Sequence, residues 1–229
     1  MMFRDRHEAG LRLAETLQSY GNRADVIVLA LPRGGVPVGY EIATRLGVPL
    51  DLLVVRKLGV PGHEELAMGA IASGGVEIVE PRLLDRLGIS ERALARVVGR
   101  ERAELARRER LFRGERPPLE IAGKTVIVVD DGLATGATMV AAVQSLRSRH
   151  PARIVVAVPV ASRETCDAFR ALVDQVICLV TPEPFRAVGI WYDDFSQTSD
   201  TEVRELLDRA REQPTRAGVT PSVGTATPR

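Results

Sequence analysis

The stretch VIVVDDGLATGATM, residues 126–139, joins a run of β-branched apolar residues to two adjacent acids and a loop of small residues. Such an apolar run is typical of a strand that is buried on both faces of a parallel sheet. The residues after the loop have apolar side chains at helical spacing. The stretch therefore predicts a strand, a loop and a helix, with Asp130 and Asp131 at the carboxyl end of the strand.

Strand-like and helix-like segments alternate through most of the chain. Short β-branched runs bounded by turn residues predict strands over residues 26–31, 50–55, 125–130, 153–160 and 175–180. Apolar residues at helical spacing predict helices over residues 36–46, 138–149 and 164–172. This alternation predicts an α/β fold, in which an open, mostly parallel twisted sheet carries helices on both faces.

An arginine-rich segment, residues 89–116, interrupts the alternation. It predicts an inserted amphipathic helix whose apolar stripe consists of Leu94, Val98, Leu105 and Phe112. We interpret its arginines as a solvated face because acids interleave with them; a nucleic-acid-binding patch is the alternative. The expected ion pairs are Glu104 with Arg108 and Glu109 with Arg113.

The composition is that of one ordinary globular domain. Among 229 residues, 31 basic and 30 acidic side chains give a net charge of +1, which does not favour a nucleic-acid partner. No apolar run approaches the roughly 20 residues needed to span a bilayer, and the first ten residues are too charged for a secretory signal. We therefore expect a soluble cytoplasmic protein with a single domain over residues 1–211. Residues 212–229 have no large side chains to bury and are expected to form a disordered tail.

The two cysteines, Cys166 and Cys178, form neither a disulfide framework nor a zinc-binding pattern in the sequence. We expect them to be reduced, half-buried thiols, as is usual in a cytoplasmic protein. Neither is assigned a role in the function.

The loop after the two acids has the features of a phosphate-binding site. In an open parallel sheet, ligands bind beyond the carboxyl ends of the strands. Glycines allow the loop backbone to approach a ligand, threonines supply hydroxyl groups, and the next helix contributes the positive end of its dipole. The two acids would repel a phosphate but would accept hydrogen bonds from hydroxyl groups. A ribose 5-phosphate satisfies both halves of the segment.

Other phosphate-binding motifs do not fit this segment. A Walker A loop requires lysine after its second glycine, where this chain has Ala137. No Gly-x-Gly-x-x-Gly sequence follows a predicted strand. A plain strand-to-helix turn remains the alternative, although it does not account for two adjacent acids together with two threonines.

The segment DDGLATGAT, residues 130–138, resembles the phosphoribosyl-pyrophosphate-binding motif of type I phosphoribosyltransferases. The resemblance implies that Asp130 and Asp131 hold the ribose hydroxyls. It also implies that the 5-phosphate is held by Gly132, Leu133, Ala134, Thr135, Gly136, Ala137 and Thr138.

Two further segments fit the same family in order and context. LPRGG places Arg33, Gly34 and Gly35 in the pyrophosphate loop, after the first predicted strand. VVRKLGVPGHEE places Arg56 and Lys57 in a mobile loop that closes over the pyrophosphate. The spacing is similar to that of adenine phosphoribosyltransferases, and residues 3–207 resemble a group of uncharacterised bacterial proteins called predicted phosphoribosyltransferases.

Two departures from the family pattern concern closure and the acceptor. The adenine-type mobile loop carries a second lysine where this chain has Val60. Enzymes that act on 6-oxopurines place an acid at the position of Ala134, so a hypoxanthine or guanine acceptor is disfavoured.

The acceptor is expected to be recognised by a hood formed by residues of about 80–116 and 181–195. In the second segment, Phe185, Trp191 and Tyr192 would stack on a planar base. Asp193 or Asp194 would accept hydrogen bonds from its exocyclic groups. The alternative is that these aromatic residues only cap the end of the sheet.

The resemblance implies transfer of the 5-phosphoribosyl group from phosphoribosyl pyrophosphate to a nitrogen nucleophile, with release of pyrophosphate. Asp130, Asp131, Arg33 and Lys57 would be the catalytic residues, acting by positioning and charge stabilisation. Mg²⁺ would be held near the two acids by substrate and water rather than directly by the protein. Closure of residues 59–65 would exclude water from the reaction. His63 lies in this segment and is a weak candidate for a general base. The family resemblance also implies a homodimer.

Two rival hypotheses share the same phosphate loop. One is a regulatory protein that binds phosphoribosyl pyrophosphate without turnover, with RNA binding through residues 92–116 as one form of it. The other is an enzyme that hydrolyses the ligand or uses a nucleophile other than a base. The sequence does not separate them from the transferase.

Overall fold

The computed structural model describes residues 2–213. In chain order its elements are α1 (Arg6–Thr16), β1 (Val26–Ala30), α2 (Gly35–Leu46), β2 (Leu50–Leu52), β3 (Val55–Val60), β4 (His63–Ala72), β5 (Val76–Val79), α3 (Pro81–Leu87), α4 (Glu91–Arg113), β6 (Thr125–Val129), α5 (Ala137–Arg147), β7 (Arg153–Val160), α6 (Arg163–Arg170), β8 (Gln175–Val180) and α7 (Asp200–Glu212). Short 3₁₀ turns lie at Gln18–Tyr20 and Gly189–Trp191.

A five-stranded parallel sheet with the order β2-β1-β6-β7-β8 lies at the centre of the fold. Alternate residues of each central strand face opposite layers of helices. In β6, Ile127 and Val129 belong to the core shared with α1, α2 and α7, whereas Val126 and Val128 belong to the core shared with α5 and α6. Burial on both faces explains the continuous apolar runs, and the predicted α/β fold is confirmed.

A second, three-stranded antiparallel sheet, β3-β4-β5, was not predicted. The expected strand over residues 50–55 is wrong in its extent, because β2 ends at Leu52 and Val55 already belongs to this second sheet. The segment predicted to be a mobile loop forms a β-hairpin in the structure. Pro61 and Gly62 form its turn, and Gly62 has the positive φ of +80° that favours glycine at such a position.

The bounds of α2, α5 and α6 agree with the predicted helices to within two residues, whereas α1, α3 and α7 were not predicted. Helices α1 and α7 both begin at side-chain caps, since Asp5 accepts from the amide of Glu8 and Ser199 accepts from the amide of Glu202. α2 packs between them and against the sheet. These two helices carry residues that reach the candidate site.

The inserted helix α4 lies over β3 and β4, with the predicted apolar stripe on its inner face. The expected pairs of Glu104 with Arg108 and Glu109 with Arg113 are both present. Arg113 departs from the solvated face that was expected for the arginines, because only 3% of its side chain is exposed. It donates to Asp51 at 3.1 Å and to the carbonyl of Leu52 at 2.9 Å, and it thereby ties the end of α4 to β2.

The prediction of two reduced thiols is wrong, because Cys166 and Cys178 are joined in a disulfide. Their twelve-residue separation spans the end of α6, a turn and the first half of β8, and this arrangement brings the two Cα atoms to 6.8 Å. The sequence did not show this pairing because it depends on how α6 packs against its neighbouring strand.

The predicted domain end at residue 211 falls one residue before the end of α7 at Glu212. Most of the predicted tail, residues 214–229, lies outside the described residues. Among the helices of residues 2–213, we find none long and apolar enough to cross a membrane.

Candidate active site

Two adjacent carboxylates mark the carboxyl end of the central strand β6. Asp130 and Asp131 follow Val129 directly, and the amide of Asp131 donates to Oδ1 of Asp130 at 2.9 Å. This is the edge at which open parallel sheets bind their ligands. The structure therefore places the acid pair where the sequence predicted it.

The turn after β1 packs against this acid pair. The amide of Leu31 donates to the carbonyl of Val129 at 2.9 Å, and the peptide bond between Pro32 and Arg33 is cis. A Cβ atom on Gly34 would lie 2.0 Å from Oδ2 of Asp131, and one on Gly35 would lie 2.7 Å from the carbonyl oxygen of Val129. Both positions therefore require glycine for a steric reason, and the predicted pyrophosphate turn adjoins the predicted ribose site.

Arg6, at the first turn of α1, holds Asp131 in place. Its Nε atom lies 2.8 Å from Oδ2 of Asp131, and the two side chains are only 11% and 16% exposed. Arg6 was not predicted to be a site residue, because no motif near the start of the chain indicates a contact with a residue 125 positions away.

Tyr192 contacts the same acid from the segment after β8. Its hydroxyl group donates to the carbonyl of Asp131 at 2.6 Å. Burial, followed by the charge of Asp131, raises the pKa of Tyr192, so the phenol stays protonated as a donor. The backbone and the side chain of Asp131 are thus fixed by two residues from opposite ends of the chain.

Burial of the acid pair shifts both carboxyl groups in the same direction. Burial, then the charge of Asp131, raises the pKa of Asp130 well above its usual value. Burial also raises the pKa of Asp131, and the guanidinium of Arg6 offsets part of that rise. Two neighbouring carboxylates of this kind titrate as a pair.

The loop after the acids encloses a small cavity at the start of α5. The cavity has a volume of about 200 Å³ and is lined by Asp130, Gly132, Leu133, Ala134, Thr135, Gly136, Ala137, Thr138, Met139 and Val188. Gly136 caps α5 in the left-handed conformation, with a φ of +71°. Two hydrogen bonds fix the loop to the neighbouring elements. The amide of Leu133 donates to the carbonyl of Val160 at the end of β7, and the hydroxyl of Thr165 in α6 donates to the carbonyl of Ala134. The predicted phosphate loop is therefore a concave backbone surface at a helix N-terminus.

Comparison with known proteins agrees with this geometry. Residues 7–193 match the family model described as "Phosphoribosyl transferase domain". The chain belongs to the phosphoribosyl transferase family. It is 44% identical over 217 residues to two Mycobacterium tuberculosis proteins, from strains CDC 1551 and H37Rv, each named "Putative phosphoribosyl transferase". The match covers 95% of this chain and 49% of theirs, so the chain spans about half the length of these curated relatives.

Solved structures with a similar fold are also known. The crystal structure of TT1426 from Thermus thermophilus is 43% identical, with a TM-score of 0.80 over 90% of this chain and 98% of that one. The structure of AQ2163 from Aquifex aeolicus, at 12% identity and a TM-score of 0.50, covers 88% of this chain and 84% of that one. The second likeness concerns the fold alone.

The three predicted pyrophosphate-binding cations contact different structural elements. Arg33 lies 3.5 Å from Asp200 at the start of α7. Arg56 donates to Glu101 of α4 through Nε at 2.9 Å and through a second nitrogen at 2.5 Å. Lys57 is exposed and lines a cavity of about 380 Å³ between the second sheet and α5. Arg33 directly precedes Gly34, which packs on Asp131, and Ala137 lines both the cavity beside Lys57 and the loop cavity. Arg56 is instead paired with an acid of α4.

The aromatic residues proposed to bind the acceptor pack together in a cluster that contacts Asp131 through Tyr192. Tyr192 is buried, and its ring lies 5.4 Å from that of Phe3 and 5.1 Å from that of Phe195. Phe185 and Trp191 are half-buried against the same cluster. This packing favours the alternative in which the aromatic residues cap the end of the sheet. Phe195 has more exposed surface than Tyr192, since 37% of it is accessible.

The two acids proposed to bind the acceptor are exposed beside this cluster. The amide of Ser196 donates to Asp194, and this bond lowers the pKa of that carboxyl. Asp193 and Asp194 are both positioned through their own amides, which donate to the carbonyls of Phe3 and Arg4. The backbone of residues 3–4, which precedes α1, therefore orients residues 193–194 of the predicted hood.

The histidines contribute no catalytic cluster within residues 2–213. His63, at the start of β4, is exposed. His7, for which the sequence suggested no partner, lies 2.9 Å from Glu41 of α2, and this hydrogen bond raises its pKa. No group of three or more His, Cys, Asp or Glu side chains in the described part of the chain could hold a metal ion.

Proposed function

We propose that this protein transfers the 5-phosphoribosyl group from phosphoribosyl pyrophosphate to a nitrogen nucleophile and releases pyrophosphate. The observation that carries the proposal is the contact between the acid pair Asp130–Asp131 and Gly34 of the neighbouring turn, beside the loop cavity at α5. A ribose whose hydroxyls reach the acids would extend its 5-phosphate into that cavity. The anomeric carbon would then face the turn that carries Arg33.

The reaction proposed is a displacement at the anomeric carbon. The bond from this carbon to pyrophosphate breaks with its electron pair on the leaving oxygen, while a bond to the acceptor nitrogen forms and that nitrogen loses a proton. The sugar gains positive charge as the leaving group departs, so carboxylates beside the ring stabilise the transition state. Asp130 and Asp131 would supply the negative charge that stabilises the sugar cation, and they would fix the ring through its hydroxyls.

The loop and the turn would bind the two phosphate ends of the substrate. Residues 132–138 would bind the 5-phosphate with backbone amides at the N-terminus of α5. Arg33 and Lys57 would bind the pyrophosphate, and Arg56 would join them once it left Glu101.

The residues present fit a magnesium ion held mainly by the substrate. Carboxylate oxygens are ligands that Mg²⁺ accepts, and two of them stand at the strand end near the expected substrate oxygens. A bound Mg²⁺ would neutralise charge on the departing pyrophosphate. Asp130 and Asp131 are the residues that would lie closest to it, through water or the ribose hydroxyls.

The acceptor is proposed to be a nucleobase-like compound that enters beside the segment 181–195. Ala134 offers no acid to assist a 6-oxopurine, and this supports an acceptor of another class. Phe185, Trp191, Tyr192 and Asp194 remain the proposed acceptor residues, and the packing of Tyr192 favours an indirect contribution from it.

The test is pyrophosphate release from phosphoribosyl pyrophosphate with MgCl₂, measured against a panel of purines, pyrimidines and simple amines. The double variant Asp130→Asn/Asp131→Asn removes both charges at nearly constant volume. Glu15→Gln, at an exposed acid of α1, is the matched control. Release that needs one acceptor and is lost only in the double variant supports the proposal.

Tight binding of the ligand without acceptor-dependent release would instead indicate a regulatory protein. The charge pairs on α4 weaken the RNA-binding form of that alternative, because Glu104 engages both Arg107 and Arg108. A homodimer, which the family resemblance implies, and a cytoplasmic location, which the composition of the sequence predicts, are further parts of the proposal. Sedimentation equilibrium and fractionation of cells that express the tagged protein test them.

A further inference from the structure

We infer that Arg6 is a positioning residue for the phosphoribosyl site, which holds Asp131 so that one of its carboxylate oxygens faces the ligand. This inference rests on the proposed function, since it assigns Asp131 a ribose hydroxyl as its ligand. It adds the first helix of the chain to the site. The argument starts from how Arg6 is itself held.

Contacts on several sides fix the guanidinium of Arg6. One of its terminal nitrogens donates to the carbonyl of Ser196 at 2.7 Å. The ring of Phe195 lies 4.0 Å from its central carbon, at a distance that allows a cation–π interaction. The helix that carries Arg6 lies close to α2, where a Cβ atom on Gly10 would be 2.8 Å from the carbonyl of Val38. The arginine is thus rigid before any ligand arrives.

The remaining contact of Arg6 selects one oxygen of Asp131. Its Nε atom donates to Oδ2, the same oxygen against which Gly34 packs. Oδ2 is therefore enclosed between the arginine and the glycine turn. Oδ1 of Asp131 is the oxygen left for a ligand hydroxyl, and the carboxylate cannot rotate without breaking the ion pair.

The charge of Arg6 also acts on the acid pair as a whole. Asp130 and Asp131 repel one another, and burial favours their protonated forms, which accept hydrogen bonds less well. The guanidinium favours the ionised form of both groups, and the other titratable neighbour, Tyr192, is a neutral donor. The side chain of Arg6 therefore supplies both orientation and charge to a group that would contact the substrate.

The test measures binding of phosphoribosyl pyrophosphate with MgCl₂ by isothermal titration calorimetry, so that it does not depend on turnover. The variants are Arg6→Gln, Arg6→Lys, Asp131→Asn and the double variant Arg6→Gln/Asp131→Asn. Arg4→Gln is the matched control, because the side chain of Arg4 is 72% exposed and, among residues 2–213, forms an ion pair with Asp5 alone. Circular dichroism and thermal unfolding check that each variant is folded.

We expect Arg6→Gln to weaken binding about ten- to a hundredfold, which is the effect of losing a hydrogen bond between charged groups. Arg6→Lys keeps the charge and should recover most of the loss, while Arg4→Gln should bind like the wild type. In the Asp131→Asn background, Arg6→Gln should change the affinity by less than about threefold, because the partner through which it acts has gone. Should Arg6→Gln fail to fold, Arg6→Met in both backgrounds completes the same cycle, because it removes the charge and the donors but keeps an apolar side chain in the space of the arginine stem.

The possible failures are distinguishable. Equal binding by Arg6→Gln and the wild type, or losses that multiply in the double variant, would overturn the role of Arg6 and leave the proposed function standing. Binding by the wild type without acceptor-dependent release would sink the proposed transfer, while the cycle still decides the role of Arg6. A wild type that does not bind the ligand would overturn both.

Discussion

Replacing Gly34 with alanine would place a methyl group inside the carboxylate of Asp131. The Cβ atom would lie 2.0 Å from Oδ2 and 2.6 Å from Cγ of that residue, and 3.2 Å from Nε of Arg6. The backbone itself would tolerate alanine, because Gly34 has a right-handed helical conformation with a φ of −61°. The substitution therefore tests the close packing alone, free of backbone strain.

Two costs determine the expected effect of Gly34→Ala. Overpacking of a tightly packed position costs about 1–3 kcal/mol of unfolding free energy. Displacing Asp131 also breaks its hydrogen bond with Arg6 and moves the ligand oxygen. We expect the affinity for phosphoribosyl pyrophosphate with MgCl₂ to fall by about tenfold or more, which corresponds to at least about 1.4 kcal/mol.

Urea unfolding and isothermal titration calorimetry measure the two quantities. Gly99→Ala is the control, since the same chemical change in the exposed middle of α4 meets no atom within 4 Å. That control should gain about 0.5–1 kcal/mol of stability, because alanine favours a helix over glycine, and it should bind like the wild type. If Gly34→Ala matched the wild type in both stability and affinity, the packing of the glycine turn against Asp131 would not exist in solution.

Three further predictions concern other parts of the fold. Arg113→Met removes the guanidinium that donates to the buried carboxylate of Asp51, which keeps the amide of Leu119 and the more distant Arg211 at 3.9 Å. It should cost about 1–3 kcal/mol in urea unfolding, and a loss well under 1 kcal/mol would contradict a buried pair. Gly136→Ala forces a side chain into a left-handed conformation, at a φ of +71°, and against the aromatic ring of α6. It should lower stability by about 1–2 kcal/mol and reduce the thermal shift given by phosphoribosyl pyrophosphate, and an unchanged shift would argue against a phosphate at this loop. The hydrogen bond with Glu41 raises the pKa of His7, so its stabilisation is complete below the usual histidine pKa and is lost as the pH rises through the raised value. The stability difference between the wild type and Glu41→Gln should therefore shrink from mildly acidic to alkaline buffer, and a difference that is constant with pH would exclude this pair.

The sequence predicts the central sheet well because each of its strands is buried on both faces. Continuous β-branched runs such as those of β6 and β7 are typical of strands in the interior of a parallel sheet. The predicted bounds of these two strands agree with the structure to within a residue. The antiparallel sheet escaped prediction because β3 and β4 mix small, charged and apolar residues. Their pattern depends on packing against α4 and α5.

The candidate site was predictable only where its chemistry is local. Asp130, Asp131 and the loop after them form one continuous motif, so residue types and spacing indicate a phosphate and hydroxyl ligand. Arg6 and Tyr192 contact Asp131 from positions 125 and 61 residues away, and neither lies in a motif. The disulfide and the buried Arg113 were missed for the same physical reason, since pairing between distant elements leaves no periodic signal in the chain.

The acid pair is costly for the unliganded fold, and this cost supports a functional origin for it. Burial raises the pKa of both Asp130 and Asp131, and the charge of Asp131 adds to the rise at Asp130, so the folded chain binds protons at this pair more tightly than the unfolded chain does. Its contribution to stability is therefore lost as the pH rises through the raised values, so ionisation of the pair costs the fold stability. Neutral residues at these positions would not incur this penalty. A protein that keeps the pair, and that brings Arg6, Gly34 and Tyr192 around one of its members, keeps a ligand-binding geometry at the expense of stability.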